Sequence, residues 1–278
     1  MTAITRTTHP TTGHHPTAGH HPPRSAPNGR PTFHTQIAAE LSKLTTTRAP
    51  RWVALSAAAL TALAISGVVA SGGVAQEALG TDVGLRTVLA HGGLAATLPL
   101  VLGILLSASE YRHGTVVDTF LTEPRRGRVI GAKLVAGALA GLAIGVAVVL
   151  TTVVTVGIWY PAKDVPFDLS SSTVVRSLVG VAIWDVLYAT IGVAVGSIIR
   201  TPAAAIVSVL VWLTVAETAV AGLLVEVGRW LPGTAAQALG RAPTDGLLSQ
   251  VGGGVVLLGW AVLAAAAAVV ATRRRDVT

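Results

Sequence analysis

The sequence predicts an all-α integral membrane protein, and three observations carry that prediction. Hydrophobic residues make up 51% of the chain and charged residues only 12%, about half the charged share of a soluble domain. The mean hydropathy is +0.66. Six apolar runs each reach the length of about 20 residues that a spanning helix needs, and helices are expected because backbone groups in lipid must pair within their own segment. The runs cover residues 52–74, 88–108, 134–158, 174–199, 202–225 and 251–271.

The first 33 residues form a polar tail rich in Thr, His, Pro and Gly, a composition that predicts disorder. Two histidine pairs, His14-His15 and His20-His21, stand in a repeated Gly-His-His-Pro motif. Paired histidines can bind a divalent metal, but no Cys or carboxylate joins them, so we expect a tail without metal. Residues 34–278 are then a single six-span domain.

A short helix is expected between the tail and the first span. Ile37, Leu41 and Leu44 recur at helical spacing, with Glu40 and Lys43 on other faces. This pattern predicts an amphipathic helix at the cytoplasmic membrane surface.

The distribution of Lys and Arg predicts the orientation of the chain. All but five of the 20 Lys and Arg residues fall on one side of the predicted spans. The five on the other side are Arg86, Lys163, Arg176, Arg229 and Arg241. Because cytoplasmic loops carry the excess of Lys and Arg, both termini are expected in the cytoplasm and the protein in the plasma membrane.

A charged island separates the second and third runs, from Glu110 to Lys133. Thr115 can cap a short helix that continues through Phe120, and Pro124 disfavours helix in the residue before it and restarts the chain. Apolar side chains on a basic rim suit docking into a groove of a soluble partner. An ordinary cytoplasmic loop, whose arginines only fix topology, is the alternative.

Two acidic residues and one loop stand out from the remaining spans. Asp185 lies near the middle of the fourth run and Glu217 within the fifth. Intramembrane acids are costly, so they are expected either on a transport path or in structural contacts between helices. The loop between the last two runs is too apolar to be simply solvated, which predicts one or two short outer helices before the sixth span.

Motifs for catalysis are missing from the sequence. No phosphate-binding loop, dinucleotide fingerprint, nucleophile elbow or zinc-protease motif is present, and no cysteine is available as a metal ligand. We therefore expect no enzyme activity, no metal site and no nucleic-acid partner. If ATP drives this protein, another chain binds it.

Three segments of the chain resemble the permease subunit of ATP-binding-cassette transporters of the type-2 exporter family, especially its actinobacterial form. The first contains Glu40 and Lys43. The third runs from Arg200 to Leu239 and contains Trp212, Glu217 and the Trp-Leu-Pro-Gly motif at 230–233. The second is the charged island. Its residues expected to couple to an ATPase are Glu110, Arg112, Gly114, Thr115, Val116, Phe120, Leu121, Pro124, Arg125, Arg126 and Lys133.

The resemblance implies an export permease that pairs with a second copy or a homologous permease. It also implies a coupling helix between spans two and three, and a separate ATPase subunit that binds ATP and Mg²⁺. Two alternatives stay open: an ion-coupled secondary carrier that uses Asp185 and Glu217, and a membrane scaffold that transports nothing.

Overall fold

The fold is known from a computed structural model, which describes residues 32–116, 119, 121 and 123–274. Residues 1–31 of the predicted tail and Phe120 lie outside the described residues, and the tail's last predicted residue, Phe33, already belongs to the first helix. Within them the chain is helical and contains no strand. The helices are α1 (Phe33–Thr46), α2 (Ala49–Ala70), α3 (Gln76–Leu79), α4 (Asp82–Ala90), α5 (Thr97–Arg112), α6 (Arg126–Ala162), α7 (Ser172–Ile199), α8 (Pro202–Val211), α9 (Glu217–Leu223), α10 (Val225–Gly228), α11 (Pro232–Leu239) and α12 (Gln250–Arg274).

The prediction of six membrane-length segments is confirmed. Six helical stretches are long and apolar enough to cross a bilayer, which supports a multi-pass membrane protein. They cover Ala49–Ala70, Asp82–Arg112, Arg126–Ala162, Ser172–Ile199, Pro202–Leu223 and Gln250–Arg274. Large apolar side chains point outward along them, and Leu63 is 71% and Leu150 60% exposed. Such side chains fit a lipid environment, whereas a soluble monomer rarely exposes wide apolar surfaces.

Helix α7 is the centre of the packing and contacts α5, α6 and α12. Glycines allow the α5–α7 approach, because a Cβ at Gly192 would lie 2.1 Å from Leu100 O and one at Gly103 would lie 2.2 Å from Ala189 O. Small residues let helix backbones approach closely in membranes. Ser107 and Ser197 also share a buried hydrogen bond of 2.7 Å between their hydroxyl groups.

The second and third segments differ from the predicted runs. The second begins at Asp82 and contains a 3-10 turn, His91–Ala96, between α4 and α5. Pro99 contributes to this break, since it lacks the N–H that an α-helix would bond to residue 95. The third, α6, is 37 residues long and begins at Arg126, just after the break that Pro124 imposes. The predicted run was shorter because a hydropathy window detects only the apolar middle of the helix.

The fifth segment is interrupted where its acid lies. A π turn, Trp212–Ala216, joins α8 to α9, and the N–H of Glu217 bonds to Trp212 O, five residues back. Two short helices, α10 and α11, then precede α12, as the apolar loop predicted. Ala235, Ala236 and Leu239 of α11 are buried in the largest core cluster.

Candidate functional site

The charged island connects α5 to α6, and we call residues 112–126 the elbow. It turns at Gly114, whose φ of +71° is a conformation that favours glycine. Thr119 N then bonds to Thr115 O at 3.3 Å and Glu123 N to Thr119 O at 3.0 Å, the spacing of a helix. These two bonds are the helical contacts that the structure describes between α5 and α6.

Four charged side chains close a ring at the base of the elbow, and we call them the charge ring: Glu40, Lys43, Glu110 and Lys133. Lys133 Nζ lies 2.9 Å from Glu40 Oε2 and 2.6 Å from Glu110 Oε1. Lys43 Nζ lies 2.8 Å from Glu40 Oε1 and 2.8 Å from Glu110 Oε1. Positive and negative groups alternate, so the ring ties α1 to the end of α5 and the start of α6.

Burial makes the charge ring costly to break. The side chain of Lys133 is 2% exposed, and those of Glu40 and Glu110 are 5% and 11% exposed. A buried charge that loses its partner is strongly destabilising. Lys43 is different, since 43% of its side chain is exposed. Partial burial disfavours its charge, but hydrogen bonds to Glu110 and Glu40 outweigh that effect and raise the pKa of Lys43 above its usual 10.5.

A second link joins α1 to the elbow through Glu123, which is only 3% exposed. Glu123 Oε2 accepts a hydrogen bond of 2.7 Å from Gln36 Nε2, and Oε1 accepts one of 3.1 Å from Arg125 N. Arg128 Nη1 lies 3.7 Å from Glu123 Oε2. The Arg125 N–H is the main cause that lowers the pKa of Glu123 below its usual 4.5, and Gln36 and the arginine charges add to it.

The elbow residues divide into buried and exposed groups. Val116 is 4% exposed, so it packs within the chain, whereas the sequence suggested that it faces a partner. Leu121 is 76% exposed, and Arg112 and Arg125 are also exposed. Arg126 donates to Thr272 O at 3.2 Å, which anchors α6 to the end of α12.

The cationic partners of Glu110 are the ammonium groups of Lys43 and Lys133. Arg112, which is much nearer in sequence, is exposed. These lysines come from other helices, and sequence spacing cannot reveal that proximity.

Glu217 accepts hydrogen bonds from Trp212 and Gly233, which lie in the same segment of the resemblance as Glu217 itself. Glu217 Oε1 accepts a hydrogen bond of 2.8 Å from Trp212 Nε1, and Oε2 accepts one of 2.7 Å from Gly233 N. Pro232 and Gly233 open α11, whose N-terminus favours a nearby anion. A Cβ at position 233 would lie 2.4 Å from Glu217 Oε2, so a side chain there would displace the carboxylate from its present position.

Asp185 occupies a different place, in the seam between α6 and α7. Asp185 is fully buried, and a Cβ added at Gly145 would lie 3.2 Å from the Cβ of Asp185. Neither carboxyl oxygen has a hydrogen-bond partner among the described residues. The structure therefore does not bring the two intramembrane acids into one site.

A cavity of about 660 Å³ lies beside Glu217, and we call it the Glu217 cavity. Its walls come from the 3-10 turn, α7, the fifth segment, α10, α11 and the chain that follows. The residues used below are His91, Trp184, Tyr188, Glu217, Thr218, Arg229 and Asp245. This volume is typical of small-molecule sites.

Sequence reasoning missed Gln36 and Glu123 as site residues. Each lies in a segment that was already singled out, but neither stands at a position that spacing alone distinguishes. Glu123 had one available signal, since an acid just before a helix start commonly accepts backbone N–H bonds. In the described residues, no group of three or more His, Cys, Asp or Glu side chains is arranged to hold a metal ion.

Comparison with protein-family models and with curated proteins finds no match to this chain. The functional assignment therefore rests on the residues and geometry of the chain itself.

Proposed function

We propose that this chain is the permease subunit of an ATP-binding-cassette exporter of the type-2 family. It forms the membrane path, and a separate subunit binds ATP and Mg²⁺ and docks on the elbow. Both termini lie in the cytoplasm and the protein resides in the plasma membrane. A second copy, or a homologous permease, completes the transporter.

The charge ring is the observation that carries this proposal. It joins α1, α5 and α6 within one buried network at the base of the elbow. A force applied to the elbow would therefore reach two membrane segments and the preceding helix together. A loop that served only as a topological anchor would have no need for two buried charges, Glu40 and Lys133, at its base.

The exposed side of the elbow has the chemistry expected of a docking surface. Leu121 projects from it, and Arg112 and Arg125 flank it. Apolar anchors supply most of the binding free energy at interfaces, while exposed arginines mainly guide encounter and orientation. Phe120 is the aromatic anchor that the sequence supplies.

Co-purification with the cognate ATPase tests the docking surface. Phe120→Ala or Leu121→Ala should weaken association by about 2 kcal/mol, roughly 30-fold in Kd. Leu169→Ala is the matched control, because Leu169 is exposed in the loop at the opposite end of α6. If Phe120→Ala and the double change Arg125→Glu, Arg126→Glu both leave assembly intact, the elbow is not the docking site.

Coupling can be separated from docking at Glu110. Glu110→Gln removes the charge that both lysines contact, while the exposed residues of the elbow stay unchanged. We expect the ATPase to remain bound and cargo moved per ATP hydrolysed to fall. Equal losses of assembly and transport would contradict a coupling role.

Orientation is testable because the chain contains no cysteine. A cysteine at position 20 should resist an impermeant thiol reagent in intact cells, and one at position 164 should react. Reaction at position 20, or protection at 164, would reverse the proposed topology.

A second copy has an obvious place to bind. Only 11% of the apolar window of Pro202–Leu223 is buried, the smallest share of the six segments. Val207 and Val215 on it are 59% and 61% exposed. Cysteines at these positions should cross-link two copies in the membrane, whereas a cysteine at Val154 of α6, which is 59% exposed, should not.

Asp185 supports one alternative, an ion-coupled carrier. A buried carboxyl group without partners among the described residues is a candidate for proton binding. Vesicles that hold ATP and the ATPase but no ion gradient distinguish the two functions. Transport under those conditions supports the export permease, and transport driven only by a gradient and abolished by Asp185→Asn supports the carrier.

A further inference from the structure

The Glu217 cavity has a mainly apolar wall and a distinct charge pattern. Besides Tyr188, its titratable side chains are His91, Glu217, Arg229 and Asp245. Arg229 Nη2 lies 2.5 Å from Glu226 Oε2, whose side chain is exposed. His91 Nδ1 lies 2.7 Å from Thr87 O and donates to it, since a carbonyl oxygen only accepts.

The carboxylates of the cavity have no such cationic partner. None of the ion pairs in the described part of the chain includes Glu217 or Asp245. Glu217 is 3% exposed, and both its oxygens accept N–H hydrogen bonds from neutral donors. Each carboxylate oxygen can accept more than one interaction, so Glu217 keeps capacity for a positively charged ligand.

Aromatic rings line the same cavity. Trp184 and Tyr188 stand edge to face, with ring centroids 5.7 Å apart and planes at 82°. A Cβ at Gly93 would lie 2.2 Å from Trp184 Cζ3, so the indole is held against the 3-10 turn. The two rings are 9% and 3% exposed, so they add fixed aromatic surface to the wall of the cavity.

We infer that the Glu217 cavity binds an amphipathic organic cation. Glu217 supplies the charge, Trp184 and Tyr188 supply aromatic surface, and the apolar wall accepts the hydrophobic part of the ligand. This inference deepens the proposed function by naming a class of cargo, and it rests on that function only for the step after binding.

The test uses two probes of nearly the same shape and opposite charge, tetraphenylphosphonium and tetraphenylborate. Calorimetry measures their binding to the purified full-length permease in phosphatidylcholine nanodiscs, with empty nanodiscs subtracted. Wild type should bind the cation and show no saturable binding of the anion. Glu217→Gln should weaken cation binding by about tenfold to a hundredfold, because the cation loses a charge held in a medium of low dielectric.

Two variants control for fold and shape. Glu77→Gln removes an acid that is exposed and does not line the cavity, and it should leave the Kd unchanged. Thr218→Trp places a bulky ring at an exposed position of the wall and should reduce cation binding by occlusion. If Glu217→Gln fails to fold, the wild-type preference for cation over anion and the Thr218→Trp result still decide the question.

The inference is overturned if wild type binds both probes equally, or if folded Glu217→Gln binds the cation as wild type does. These measurements need no ATPase. Failure of ATP-driven transport would therefore count against the proposed function and leave cation binding standing, and the reverse also holds.

Discussion

Removal of Lys133 is the sharpest test of the charge ring. Lys133→Met keeps the length of the side chain and deletes its charge, so Glu40 and Glu110 remain buried with Lys43 alone. Loss of one partner from a buried pair costs about 3–5 kcal/mol. Lys43→Met should cost about 1 kcal/mol or less, because Lys43 is 43% exposed and water already screens its interactions.

The measurement is equilibrium unfolding of the purified protein in mixed micelles as the SDS fraction rises. Lys163→Met is the matched control, because Lys163 takes part in none of the described ion pairs. The double change Glu40→Gln with Lys133→Met should lower stability by less than the sum of the two single changes, and the difference should be about 0.5–3 kcal/mol. Equal costs at Lys43 and Lys133, or strictly additive losses in the double variant, would refute the ring as a unit.

Two further outcomes follow from the packing and the titration of the site. Gly192→Ala should lower stability by about 1–3 kcal/mol in the same unfolding assay, because its Cβ would meet the backbone of α5. Gly222→Ala is the control, because its Cβ would meet open space and stability should not change. The link from α1 to Glu123 should hold above the usual carboxyl pKa of 4.5 and weaken as pH falls through the lowered pKa, since Arg125 and its neighbours bond the charged form. A nitroxide on Thr35→Cys should therefore become more mobile at low pH, and Glu123→Gln should show that mobility at neutral pH; pH-independent mobility in the parent would contradict the link.

The six membrane segments were predictable because length and hydropathy are properties of local sequence. Their ends were less so, since α6 continues through charged residues at its start that a hydropathy window excludes. The elbow was predictable from Pro124 and Thr115, which act on neighbouring residues. The 3-10 turn at His91–Ala96 was not foreseen, although Pro99 and two glycines contribute to it.

The candidate site was only partly predictable for a different reason. Glu40, Lys43, Glu110 and Lys133 were all singled out, but their closure into one ring depends on three helices that meet in space. The contact of Glu217 with Gly233 has the same character, because it depends on how α11 packs back onto the fifth segment. Sequence spacing identifies unusual residues, whereas partners far apart in the chain require the fold.

The length of α6 has a mechanical consequence. Its 37 residues make a rod of about 55 Å at 1.5 Å per residue, while the hydrocarbon layer is about 30 Å thick. Its one internal proline is Pro161, near the far end, so no proline interrupts the rod before that point. Lys133 lies seven residues from its start and can serve as a pivot. A tilt of about 5° about Lys133 would move the near end by about 1 Å and the opposite end by roughly 4 Å, so a small displacement on one side of the bilayer becomes a larger one on the other.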